Sequence, residues 1–368
     1  MRAVALIDGD HFPEVVRDAL EELPYEWVGA ILAGGNEKLR PGADYGVPLV
    51  DGFGDANVVV DLSDEPVLGP AERFGWASRA LAAGLTYVGA DFRFEPPRLE
   101  RLSVPSVAVL GTGKRVGKTA VSAYVASRLA RDREVVVVAM GRGGPPEPVL
   151  VRTPPTVEEL VALSRSGRHA ASDYLELAAI TGLPTVGCRR AGGGLAGRPF
   201  VSNVVAGARL AEELKPDAIV VDSSGSSIPP LAVDVRILVV GPQHDLDSYF
   251  NTYRRLIADV VVCVGGELPG AVPAELRLRP LGELEGRVAV FTAGATEVGF
   301  DGDVYPFLGD RVALAAALER VDADTYLCEL KGAAIDVVAE HALARGRRFV
   351  LAANDVVAPG LDEVLLAA

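Results

Sequence analysis

The run Gly111-Thr112-Gly113-Lys114-Arg115-Val116-Gly117-Lys118-Thr119 carries the strongest chemistry in the chain. An apolar, strand-like stretch at 107–110 precedes it and an amphipathic pattern follows it. A strand would therefore aim the loop, and a helix would open at its end. In that setting glycines let backbone N–H groups close on phosphate oxygens, and the helix N-terminus adds partial positive charge. Lys118 is placed to reach β- and γ-phosphates and the Thr119 hydroxyl to ligate Mg2+, which points to ATP as the bound nucleotide.

A second position of the same kind is Asp222, which closes the apolar run 218–221 and opens Ser223-Ser224-Gly225-Ser226. A carboxylate at the C-terminal end of a buried parallel strand stands beside the phosphate loop of a doubly wound sheet, where it can hold Mg2+ or its water shell. An aspartate capping a turn is the plainer reading. Two further loops suit anions. Met140-Gly141-Arg142-Gly143-Gly144-Pro145 follows the strand expected at 135–139, bringing Arg142 to the same sheet edge, and 188–198 sets Arg189, Arg190 and Arg198 around a flexible glycine run. Guanidinium forks match phosphate and carboxylate bidentately, although a solvated basic turn would have the same composition.

Other chemistries find less support. His169, near Ser172 and Asp173, reads as an acid or base or simply as a cap. His11, His244 and His341 share no metal-ligand spacing, no GxSxG elbow is present, and no cysteine has an evident base. Near the start, Asp8-Gly9-Asp10-His11, residues 34–38 and Asp61 to Glu65 each follow an apolar strand. They either line a pocket at one sheet edge or are ordinary strand-to-helix turns.

Strands followed by helices are what must position these groups. Apolar runs at 4–7, 28–32 and 58–62, with helical patterns at 13–23 and 70–83, predict a small Rossmann-like α/β domain over residues 1–98. Consecutive prolines near 96–97 read as its linker. From residue 99 a doubly wound parallel sheet of the P-loop NTPase class is expected. Its strands fall at 107–110, 135–139, 218–221, 235–240 and 260–264, and its helices at 118–131, 156–166, 170–181 and 202–214. Strands at 288–292, 325–330 and 349–353 and a helix at 333–345 suggest a C-terminal α/β extension from about 236. Nothing in the sequence decides whether Lys331 or Asn354 in that extension reaches the nucleotide.

The 368 residues suggest two or three packed units. Acidic residues outnumber basic ones by 50 to 36, so the average surface field disfavours nucleic acid and anionic membrane. An anionic ligand must then be captured by a local cluster of donors. The three cysteines form no CxxC pair, which argues against disulfides and zinc and for a reducing cytoplasm. Neither a signal peptide nor an uncharged apolar span of membrane length is legible, and a homodimer is the default assembly.

The loop at 111–119 is one residue longer than GxxxxGK[ST] and is similar to the form found in dethiobiotin synthetase. Taken with residues 4–13, 29–38, 89–94, 140–148 and 222–230, it resembles the corresponding stretches of the cyclic 2,3-diphosphoglycerate synthetases. That resemblance implies a ligase that uses ATP and 2,3-diphosphoglycerate to give ADP, phosphate and the cyclic anhydride. It further implies Lys118, Asp222 and Arg142 as catalytic groups. Arg189, Arg190 and Arg198 would then hold the doubly anionic acid, with Lys114 and Arg115 as further cations. A 2-phosphoglycerate kinase and a nucleotide-switched partner protein are the alternatives. Against the switch, the lysine that would mark that branch should stand at position 113, which is Gly113.

Overall fold

The computed structural model describes residues 1–39, 42–242, 246–294 and 301–367, so His244 lies outside the described residues. The chain divides into two compact units, one formed by Met1–Arg98 with Leu246–Ile257 and the other by Leu99–Asp245 with Ala258–Ala368.

In the first unit, strands Glu26–Gly34, Arg2–Asp8, Val58–Asp61, Thr86–Val88 and Arg93–Phe94 form one sheet in that order. All pair in parallel except the last. Ala3 to Ile7 are wholly buried, as expected of a central strand covered on both faces. Helices Pro13–Glu22 and Pro70–Ala82 each begin on a proline, whose fixed φ suits the first helical position. A purely linear division at residue 98 is incomplete, because helix Asn251–Leu256 belongs here. Phe250 at its start is fully buried, with ring centroids 5.1 Å from Phe74 and 4.8 Å from Phe94.

The second unit is built on a 13-stranded sheet. The phosphate-loop strand Ser106–Gly111 is flanked on one side by Ala218–Asp222, then Val135–Gly141, then Thr185–Gly193. On the other side come Val235–Val240, Val260–Val264 and Val272–Pro280, and all these neighbours pair in parallel. Every residue of Val135–Gly141 and Ala218–Asp222 is buried, which explains their unbroken valine-rich runs. Helix Lys118–Leu129 packs Ala120, Val121, Val125 and Ala126 against this core.

Beyond the short antiparallel strands Val149–Val151 and Pro199–Ser202 that border Thr185–Gly193, strand direction reverses again on the far side. Arg348–Val357 pairs antiparallel with Val272–Pro280, and Thr325–Glu329, Val288–Phe291 and Asp303–Tyr305 continue parallel to it. The sheet thus comprises two mainly parallel halves joined at the antiparallel pairing of Val272–Pro280 with Arg348–Val357. The C-terminal half does not begin near 236, since Val235–Val240 adjoins the phosphate-loop strand itself. Two other expectations change. The run at 188–198 is no flexible loop: Thr185–Gly193 returns through the antiparallel strand Pro199–Ser202, with Gly192 at φ 65°. The helix expected over 333–345 opens with a π-helical stretch, Ala334–Ala339, before α-helix Glu340–Ala344.

Candidate active site

The loop between Ser106–Gly111 and Lys118–Leu129 turns into its helix at Gly117, whose φ of 87° lies in the left-handed region. A Cβ there would stand 3.1 Å from Val264 Cγ2, so conformation and space both call for glycine. Lys118, 8% exposed, donates from Nζ to Asp222 Oδ1 at 2.5 Å, and the Ser122 hydroxyl donates to the same oxygen at 2.6 Å. Asp222 is fully buried, and burial raises its pKa against the pull of Lys118. Its Oδ2 and the Ser223 hydroxyl are buried with no hydrogen-bond partner. Unpaired buried oxygens beside a phosphate loop are unusual, and a cation, a ligand or water would satisfy them.

A cleft of about 410 Å³ opens over this pair. Five cations line it, Lys114, Arg115, Lys118, Arg142 and Lys331, against two carboxylates, Asp173 and Glu329. In a chain of formal net charge −14 that local excess is the donor cluster an anion needs. Thr119 lies on the same wall. Its hydroxyl with the free Asp222 carboxylate oxygen is an all-oxygen donor set suited to a hard cation such as Mg2+. Among the described residues no group of three or more His, Cys, Asp or Glu side chains could hold a metal. A magnesium ion bound through one or two carboxylates and nucleotide phosphates needs no such cage.

The sequence-predicted arginines separate. Arg142 lines the cleft next to Gly143, over which His169 packs so closely that a Cβ would come within 2.2 Å of the ring. Arg190 stands just behind the wall, donating from Nη2 to the Ser224 carbonyl at 3.0 Å. Burial and the neighbouring Arg142 lower its pKa. Arg189 and Arg198 are exposed and do not line the cleft. Arg189 instead sits on the hairpin strand, its amide donating to Asn203 Oδ1 at 2.7 Å.

Residues that the sequence leaves unassigned complete the cleft, among them Lys331 and Asn354, whose reach it leaves open. Asp173 begins helix Asp173–Thr181, its carboxylate next to Gly141. Across from the phosphate loop, Glu329 accepts from the Ala293 amide at 2.6 Å and from Asn354 Nδ2, tying together three adjacent strands. Lys331 pairs with Glu176 at 3.2 Å. The signal that picked out Asp222, a carboxylate closing an apolar strand, was equally present at Glu329. Lys331 and Asn354 carried none.

In the first unit the early polar clusters do converge on one sheet edge. Asp8 accepts from the Asp10 amide at 2.9 Å, the Asp64 amide at 2.8 Å and His11 Nδ1 at 2.9 Å. Burial works to raise the Asp8 pKa, but these hydrogen bonds outweigh it and hold the carboxyl below its usual range. The cluster closes strand-to-helix turns and also lines a pocket: Gly9 to Pro13 with Lys38, Leu39 and Tyr45 border a polar hollow of about 280 Å³ at that edge.

Family comparisons agree with this layout. The cyclic 2,3-diphosphoglycerate synthetase P-loop domain matches residues 106–276, its N-terminal domain 2–54 and 53–95, and its C-terminal domain 303–355. The cyclic 2,3-diphosphoglycerate synthetase of Rubrobacter xylanophilus is 44% identical over 100% of this chain and 96% of its own. The chain belongs to the cyclic 2,3-diphosphoglycerate synthetase family. Synthetases of that name from Thermococcus gammatolerans and Methanothermobacter thermautotrophicus are 39% and 36% identical, over 96% and 98% of this chain and 93% and 94% of theirs. Among solved structures, LpxK from Aquifex aeolicus in complex with ATP covers 73% of this chain and 90% of its own at 15% identity and a TM-score of 0.44. That likeness is too partial to add to the assignment. Within the synthetase family's domain plan, the loop 111–119 falls in the P-loop match, and Glu329, Lys331 and Asn354 fall in the C-terminal match.

Proposed function

We propose that this protein is an ATP-dependent ligase that closes 2,3-diphosphoglycerate into its cyclic phosphoanhydride, releasing ADP and phosphate. The observation that carries the reading is the cation-lined cleft over the Lys118–Asp222 pair, in a chain whose full length aligns with synthetases of that activity. One substrate phosphate attacks the γ-phosphoryl group, displacing ADP and forming a mixed anhydride. The neighbouring phosphate then attacks the substrate phosphorus, closes the ring and expels inorganic phosphate.

The chain's own groups supply position and charge. Backbone amides of 111–119 cradle the phosphates, as a glycine loop at a helix N-terminus does. Lys118 leaves Asp222 for the β- and γ-oxygens, while Ser122 continues to hold the carboxylate it vacates. Thr119 and Asp222 would hold Mg2+, which when bound neutralises charge on the nucleotide phosphates. Arg142, which lines the cleft, would contact the transferring group, and Arg115 and Lys114 would add positive potential at the rim. Arg190 acts through the wall, fixing the Ser224–Gly225 turn by its carbonyl contact.

The three cysteines are buried and form no disulfide with one another, in keeping with a reducing cytoplasm. Among the described residues no helix is long and apolar enough to cross a membrane. A two-fold homodimer is the assembly we expect, to be read by light scattering. The deciding assay is ADP release across phosphoglycerates with products identified by phosphorus NMR. The cyclic anhydride with one inorganic phosphate per ADP is expected. Conversion of 2-phosphoglycerate to 2,3-diphosphoglycerate without free phosphate would make the protein a kinase, and ATP hydrolysis indifferent to every such acid would make it a switch.

A further inference from the structure

The two halves of the 13-stranded sheet run in opposite directions across the antiparallel seam, yet both bring strand carboxyl ends to the same cleft. Asp222 and Gly141 end strands of one half. Ala293 follows Val288–Phe291, Glu329 ends Thr325–Glu329, and both line the cleft from the other half. In open α/β sheets ligands bind at the carboxyl ends of strands. A cleft with two such edges has a binding edge to spare once the nucleotide phosphates occupy the glycine loop.

That spare edge has the makings of an anion subsite. Lys331 directs an ammonium into the cleft, its side chain 32% exposed, and gives one contact to Glu176 at 3.2 Å, leaving further N–H donors for a ligand. Burial alone would push the Lys331 pKa down, but the Glu176 and Glu329 carboxylates outweigh it, so the group stays charged. Asn354, on the same wall, keeps its Oδ1 buried and unpaired while its Nδ2 donates to Glu329. A buried amide oxygen without a partner needs a donor, so Asn354 would meet an anionic ligand only through a bridging water. The loop reaches toward this edge as well: Arg115 lies so close to Gly309 that a Cβ there would come within 2.2 Å of its Nη2.

We propose that the C-terminal half-sheet carries the acceptor subsite, in which Lys331 binds an anionic group of the acid substrate and Glu176, Glu329 and Asn354 position it facing the phosphate loop. This rests on the synthetase reading above. It assigns to the C-terminal half the charge that the exposed Arg189 and Arg198 do not deliver to the cleft.

The test is a split between the two substrates. Wild-type protein is first assayed for cyclic product from ATP and 2,3-diphosphoglycerate. Lys331→Met is then compared for KM of the acid and for affinity toward a non-hydrolysable ATP analogue. Loss of one charge-assisted hydrogen bond should raise the acid KM about tenfold or more, with the analogue affinity held within about twofold. Lys331→Arg, which keeps the charge, should recover most of the acid KM. Because Lys331→Met strands a buried Glu176, the pair Lys331→Met with Glu176→Gln supplies a folded neutral version that should show the same split. An unchanged acid KM in either neutral variant, or a loss confined to the nucleotide, overturns the subsite while leaving the synthetase intact. A wild type that makes no cyclic product overturns the synthetase reading and takes the subsite with it.

Discussion

Replacing Lys118 by methionine separates its role in the fold from its role in turnover. The ammonium sits 2.5 Å from Asp222 Oδ1, with the lysine 8% and the aspartate 0% exposed. At an effective dielectric near 20 the gross attraction at that distance is about 7 kcal/mol, but desolvation of both ions offsets much of it. What Lys118→Met leaves is a buried carboxylate held by the Ser122 hydroxyl, and breaking one side of such a pair costs about 3–5 kcal/mol. Adding Asp222→Asn removes the stranded charge, so the double variant should regain most of that loss in urea unfolding. Activity should not return with stability: ADP release should stay about 100-fold or more below wild type in both, because the charge proposed to meet the phosphates is gone.

The pH dependence provides a second signature of the same pair. Burial already raises the folded pKa of Asp222 above its ordinary value of 3.8, and losing Lys118 raises it further. A carboxyl raised on folding adds stability below its unfolded value and forfeits it as pH climbs through the folded one. The deficit of Lys118→Met should therefore shrink from neutral toward mildly acid solution, and the double variant should lack that trend. A single variant with wild-type ADP release, or a double variant no more stable than the single, would refute the reasoning.

Gly117→Ala must adopt φ 87° and bring a Cβ to 3.1 Å from Val264, a cost of about 1–2 kcal/mol for the conformation alone. Weaker ATP-analogue binding should register it, and unaltered affinity would mean the loop tolerates a different turn. Burial pushes Glu176 from 4.5 up to about 7, so its carboxyl favours the fold below 4.5 and ceases to as pH rises through about 7. In Glu176→Gln the stability slope across that window should flatten, as read by denaturation at several pH values, and an unchanged slope would assign it elsewhere. Arg142→Ala should lower turnover about tenfold or more, the worth of a charge-assisted contact, whereas the exposed Arg189→Ala should leave it near wild type. Equal losses in the two would return the hairpin arginines to the site.

The phosphate-loop half was legible because its signals are local. A glycine loop between an apolar run and a helical pattern spans a dozen residues, and Asp222 stands out because a buried strand ends on it. Sequence periodicity also found the strands at 235–240, 260–264 and 325–330. It missed Val272–Pro280, where outward Glu275, Arg277 and Arg279 alternate with inward residues and make an amphipathic strand look like a polar loop. That strand makes the seam at which direction reverses, so its loss conceals the facing half-sheet and with it the placement of Glu329, Lys331 and Asn354. The arginine-rich run at 188–198 misled for the complementary reason. Its glycines suggest mobility, while the antiparallel partner Pro199–Ser202 that makes it a hairpin is visible only as a pairing. Charge in a sequence shows which groups could hold an anion, but the turn of the sheet decides which of them share a cleft. Here that turn brings Lys331 to the cleft, more than two hundred residues along the chain from the loop it faces, and leaves Arg189 and Arg198 out of its lining.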